Sequence, residues 1–311
     1  MIEQAIAALA ANNSAGAVEI AEQAADLLMR RARMGEAPTA EAFRQEIRHT
    51  SWALIRAQPT MAPLVNLVNA VLWKIEPADT PRVLRDAMIT ATQEFKRLLR
   101  VHEVAIAEWS LRLISDGAQV LTLGRSTTVG AALRHAQRAG RRFRVICAEG
   151  RPGLEGRLMA QELAEQSIPV SLVVDALATT LVEQSSIVLV GADHVSAQGL
   201  VNKTGTYALA LAAKAARIHF YPLCSSAKFL PSGYVPPPQA VWPTTQIWEA
   251  PAPGVTIMNY YFDSTPLDKI TGIVTEQGVL PTAGIEAWLA AIKLHPDLAA
   301  GMVENGRAIE R

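Results

Sequence analysis

Five short apolar runs rich in β-branched residues recur in the second half of the chain. They are QVLTL (119–123), RFRVICA (142–148), IPVSLVV (168–174), SIVLV (186–190) and RIHFYPL (217–223). Between them lie stretches of helical length such as TVGAALRHAQRAG and RLMAQELAEQS. Strands alternating with helices, the strands apolar almost throughout, specify a parallel sheet covered on both faces. Right-handed crossovers make such a sheet an open, doubly wound one, with its ligand site at the carboxyl ends of the strands. A sixth run, ITGIVT (270–275), follows.

Residues 1 to about 115 have a different texture. Ala, Leu, Glu, Arg and Gln dominate, and apolar residues recur every three or four positions, as in VEIAEQAADLLMRRA. Pro38, Pro59, Pro63, Pro77 and Pro81 fall where helices should begin or end. Asn13 or Ser14 suits the N-cap of a helix starting near Ala15. Trp52, Trp73 and Trp109 sit among apolar neighbours and are expected to pack inside. The expected fold class is therefore α/β, with an N-terminal helical domain over 1–115 and a Rossmann-like doubly wound, mainly parallel sheet domain over 116–311.

A chain of 311 residues is long for one core, which agrees with two domains. Lys+Arg and Asp+Glu both total 29, so no net field favours nucleic acid or an anionic membrane. Near-neutral charge with a 50% hydrophobic composition fits a homodimer or higher homo-oligomer with buried faces. Cys147 and Cys224 lie in no metal or redox spacing, and two cysteines make no disulfide framework. No metal or cofactor is expected. The N-terminus lacks a signal-peptide pattern, and no stretch approaches ~18 uncharged apolar residues. A soluble, cytoplasmic protein is expected.

The strand ends carry the candidate site. After QVLTL comes Gly124-Arg125-Ser126-Thr127-Thr128, where glycine, hydroxyls, a helix start and Arg125 suit an anion such as phosphate. Ser126 and its neighbours are equally ordinary N-caps, so both uses stand open. After RFRVICA, Glu149 to Arg157 holds two acids, two arginines and three glycines. Arg151 there can fork onto a phosphate or serve a structural ion pair. Asp175 reads as a cap for the next helix.

The fullest set follows SIVLV: Gly191-Ala192-Asp193-His194, then Gly199, then Asn202-Lys203-Thr204-Gly205-Thr206 and a helix. Residues 187–215 read as strand, acidic loop, basic loop and helix. Asp193 at the strand end can exchange protons with a ligand, while Asn202 and Lys203 donate hydrogen bonds. His194 is taken as a solvent-facing neighbour. Lys228, in CSSAKF, follows a further strand end. The Pro-rich stretch 231–254 is too long for a routine loop and suits an interface or a pocket cover.

GADHVSAQGLVNKTGTYALALAAK closely resembles a signature of the superfamily containing the alpha, beta and delta regulatory subunits of translation initiation factor 2B, ribose-1,5-bisphosphate isomerase and methylthioribose-1-phosphate isomerase. The likeness extends to EGRPGLEGRLMAQELAEQSIPVSLVVDAL, SSAKF, YFDSTPLDKITGIVTEQGVLPTAGI and, in the initiation-factor branch, NNSAGAVEIA. It spans nearly the whole chain and implies a helical domain followed by a Rossmann-like one, usually dimerised through the latter. It also implies an acid/base pair of Cys and Asp in the isomerase branches.

Asp193 matches the Asp. The Cys lies in a Thr-His-Cys-Asn-Ser type stretch, which here reads Thr122-Leu123-Gly124-Arg125-Ser126, so Gly124 stands at the cysteine position. The phosphate-binding Arg-Gly-Ala of the isomerases is replaced by Ser14-Ala15-Gly16-Ala17. Cys147, which ends the next strand, is the one alternative thiol.

The expected function is an initiation-factor-2B-like protein. It would bind a phosphorylated sugar or nucleotide monophosphate through Arg125, Ser126, Arg151, Asn202, Lys203 and Lys228, with Asp193 the remaining catalytic-type group and no Cys/Asp isomerase chemistry. The alternative is an aldose–ketose isomerase on a phosphorylated sugar. Losing a proton carrier costs about 100- to 10,000-fold in rate, which favours the first. A third reading is a subunit of assembly with a vestigial pocket.

Overall fold

The computed structural model describes residues 2–300 apart from Asn13, Ser14, Glu36, Pro237, Pro238 and Ala240. The chain divides into two compact units, one of Met1–Val101, Ala227–Pro237 and Glu286–Arg311, the other of His102–Ser226 and Pro238–Ile285.

The first unit is helical. It holds α1 (Ile2–Ala11), α2 (Ala17–Met34), α3 (Ala40–Ala57), α4 (Ala62–Ile75) and the first part of α5 (Pro81–Leu111). The five prolines fall at or between helix ends, with Pro63 in the first turn of α4 and Pro81 opening α5. The N-terminus of α2 differs from expectation. Gly16 is its N-cap, and the Gly16 N–H donates to Glu19 Oε2 at 2.8 Å. Asn13 and Ser14, expected at that cap, lie outside the described residues. Ile20, Leu28, Phe43, Ile47, Leu54, Leu64, Leu84 and Met88 are fully buried and make the core. Trp73 departs from the expected packing: it is 42% exposed, its Nε1 donates to the Lys293 carbonyl, and its ring meets His295 edge-on.

The second unit is built on a five-stranded parallel sheet. Its elements run β1 (Gln119–Leu123), α6 (Thr127–Arg138), β2 (Arg144–Ala148), α7 (Glu155–Glu165), β3 (Val170–Val173), α8 (Asp175–Leu181) and β4 (Ile187–Val190). A hairpin follows, β5 (His194–Ser196) and β6 (Gly199–Lys203), then α9 (Thr206–Ala216), β7 (Phe220–Pro222) and β8 (Phe262–Thr265). A second hairpin, β9 (Ile273–Thr275) with β10 (Gly278–Leu280), precedes α10 (Ile285–Ala291), most of which belongs to the first unit.

Strand order in the main sheet is β3-β2-β1-β4-β7, all pairs parallel. The chain winds outward from β1 to β3, then returns to the other side of β1 with β4. The carboxyl ends of β1 and β4 therefore flank the switch point at which doubly wound sheets open a crevice.

Three local readings need correction. The two expected loops of 187–215 are strands: β5 and β6 pair antiparallel, and β8 adds to β6 with Lys203 opposite Phe262. Gly199, at φ +141°, makes the turn between them, with Gln198 N–H donating to Ser196 Oγ. IPVSLVV is an edge strand, so Leu172 and Val174 are exposed rather than covered. ITGIVT contributes β9 to its own hairpin, touching the main sheet through a single bridge, Leu223 to Val274.

Candidate functional site

The ends of β1 and β4 are cleared by glycine. Gly124, at φ +61°, follows β1, and its N–H bonds the Ala148 carbonyl that ends β2. A methyl group there would sit 3.7 Å from Lys203 Cγ. Gly191 follows β4, and a methyl group on it would lie 2.8 Å from Ser126 Oγ and 3.5 Å from Asn202 Oδ1. Three expected site residues, Ser126, Asn202 and Lys203, thus gather over the switch point, brought there by α6 and β6.

Each has an internal partner. Ser126 is the N-cap of α6, its Oγ accepting from Val129 N–H at 3.3 Å. Asn202 is buried and donates to Thr206 Oγ1 at 2.9 Å, joining β6 to the first turn of α9. Lys203 Nζ lies 2.7 Å from Glu155 Oε1 and 4.0 Å from the centre of the Tyr261 ring. The Tyr261 ring in turn stacks on Trp242 at 4.4 Å. Arg125 turns to α7, its Nε 2.9 Å from Glu162 Oε1.

Asp193 sits two residues past Gly191, half-buried, its N–H donating to the Val201 carbonyl. His194 is buried in β5 rather than solvent-facing, because the hairpin turns it inward. Arg151 is exposed on the β2–α7 loop, which Asp175 clamps by accepting from Gly150 and Arg151 N–H at 2.8 and 2.7 Å. Asp175 is therefore not the cap of α8 but its first residue, turned back onto the neighbouring loop. Lys228 is buried in a short 3-10 turn of the other unit, and no contact joins it to the residues above.

Cys147, the alternative thiol, is fully buried, its Sγ 3.4 Å from the Gly156 carbonyl. Burial first, then the Asp175 carboxylate, pushes it up to about 12. At neutral pH it is a packed thiol and no nucleophile or base.

Four residues of this arrangement were not singled out from the sequence: Glu155, Glu162, Tyr261 and Asp263. Asp263, on β8, accepts from Gly205 N–H at 2.7 Å and from Tyr207 N–H, so a carboxylate of the chain itself fills the N-terminus of α9. Burial raises its pKa, and those backbone donors pull the other way. Glu155 and Glu162 had a sequence signal, since seven residues on a helix return to one face. Among the described residues no cluster of His, Cys, Asp and Glu suits a metal, and no helix is long and apolar enough to cross a membrane.

Residues 13–282 match the initiation factor 2 subunit family. Ribose 1,5-bisphosphate isomerase of Archaeoglobus fulgidus is 33% identical over 271 residues, covering 86% of this chain and 85% of its own. Methylthioribose-1-phosphate isomerase of Pelotomaculum thermopropionicum is 34% identical over 288 residues, covering 85% and 79%. Among solved structures, the Pyrococcus horikoshii translation initiation factor eIF-2B superimposes with a TM-score of 0.78 at 29% identity, covering 90% of this chain and 96% of that one.

Proposed function

Because this chain belongs to the initiation factor 2 subunit family, we propose that it binds a phosphorylated sugar or nucleotide monophosphate over the β1/β4 switch point, without a thiol-assisted isomerase step. The observation that carries this reading is Gly124. It stands at the end of β1 in a left-handed conformation that favours glycine, and it has no side chain to move a proton. Cys147 offers no substitute, being buried with its thiol held far above neutrality. Asp193, Asn202, Lys203, Ser126 and Arg125 are the ligand-holding set. Arg151 and Lys228 join it as proposed ligand contacts from their own loops. The protein acts in the cytoplasm as a homodimer or larger homo-oligomer.

The names of the relatives favour a second reading, aldose–ketose isomerisation of a phosphorylated sugar, and on relatedness alone it stands ahead of the first. Asp193 would then be the acid/base group, working with a second proton carrier other than Gly124 or Cys147.

One screen separates the two. Melting temperature and turnover are measured with ribose 1,5-bisphosphate, methylthioribose 1-phosphate, ribose 5-phosphate and AMP. Stabilisation by a phosphorylated ligand with no turnover above background is the expected result. Isomerisation that disappears in Asp193→Asn makes the protein an enzyme. If no ligand stabilises it, the ligand-binding reading falls.

A further inference from the structure

Both cations at the sheet's carboxyl edge are held by one helix. Lys203 Nζ pairs with Glu155 at 2.7 Å, and Arg125 Nε pairs with Glu162 at 2.9 Å. Glu155 and Glu162 are seven residues apart on α7, so they share a face about 10 Å apart along the axis. These are not loose surface pairs. The side chains of Lys203 and Glu155 are 11% and 14% exposed.

The Glu155 carboxylate occupies a place that glycine clears for it. A methyl group at Gly153 would lie 2.3 Å from Oε1, and one at Gly150 3.3 Å from Oε2. Oε2 itself is buried with no hydrogen-bond partner among the described residues. A carboxylate in that position presents to Lys203 the same two-oxygen acceptor that a phosphate would, but it satisfies only one of its own oxygens.

We infer that α7 supplies the resting counter-anions of the ligand site, and that an oxyanion ligand binds by taking Lys203 over from Glu155. Glu155 is thus the specificity-determining residue. It holds the site closed to weak singly charged anions, and a phosphomonoester dianion, with more charge and more acceptor oxygens, displaces it. Glu162 plays the same part for Arg125 at the far end of the face. The inference rests on the proposed ligand class, and it adds which protein group the phosphate must replace.

The probe is inorganic phosphate, with ribose 5-phosphate beside it, titrated calorimetrically into the full chain. Removing the competing carboxylate in Glu155→Gln should tighten phosphate about tenfold, the worth of one such charge pair. Glu165→Gln removes the same charge from the exposed end of α7 and should change affinity less than about twofold. Where Glu155→Gln folds poorly, Glu155→Asp keeps the charge but shortens the reach. It should tighten phosphate by a smaller factor.

Phosphate binding that is unchanged or weaker in both Glu155 variants overturns the inference and leaves the ligand-binding reading standing. Equal tightening in Glu165→Gln overturns it too, since net charge alone would then explain the gain. Absence of binding in the parent and every variant overturns both.

Discussion

Replacing Lys203 by Met keeps a long apolar stem against Tyr261 and removes the charge, leaving Glu155 buried opposite no cation. Breaking one side of a buried pair costs about 3–5 kcal/mol, most of it the penalty of the abandoned charge. The two side chains keep slight solvent access, so the lower bound, about 3 kcal/mol, is the figure to expect here. In a unit of this size each kcal/mol shifts the melting temperature by about 2–4 °C, giving a fall of roughly 6–12 °C.

The double variant Lys203→Met/Glu155→Gln removes the stranded charge as well and should recover about 2 kcal/mol of that loss. Urea melts of the parent, both singles and the double, read by far-UV circular dichroism, close the cycle. Additive losses, or a Lys203→Met cost below about 1 kcal/mol, would refute the claim that this pair is a desolvated one.

Two further outcomes follow from the same elements. Gly156→Ala places a methyl group 2.1 Å from the Ala148 carbonyl oxygen, so α7 must move off β2. A loss of about 3 kcal/mol or failure to accumulate is expected, and a parent-like melting temperature would contradict that contact. For Cys147, the folded thiol keeps its proton between 9.0 and about 12 while the unfolded one has released it. Stability therefore falls as pH rises through that window, by at most about 1.4 kcal/mol per unit, a slope that Cys147→Ala should lack. Below pH 8 the native thiol should resist iodoacetamide until the chain is unfolded, and rapid native labelling would disprove its burial.

How much of this could be read from the sequence differs by element. The parallel sheet was legible because QVLTL, RFRVICA and SIVLV are continuously apolar, as buried strands must be. The edge position of IPVSLVV was not, since an edge strand and a central one share the same propensities. HVS and GLVNK were read as loops because each is short and flanked by glycine. Only the partner strand FDST, some sixty residues later, makes them a sheet.

The site residues divide in the same way. Ser126, Asn202 and Lys203 were found because strand ends and helix starts are local signals. Their partners Glu155, Tyr261 and Asp263 arrive from other segments, and no local pattern announces a contact made at such separation. The burial of His194 and the exposure of Trp73 ran against residue type for that reason too.

The hairpin's dependence on β8 has a kinetic side. The five-stranded sheet is complete once Pro222 has been made, whereas Gly205 N–H finds its acceptor in Asp263, 58 residues further on. Closing a loop of that length is an entropic barrier that only long-range pairing repays. The sheet can thus condense from contacts between near neighbours, while the surface above its switch point stays unformed until the chain has looped back.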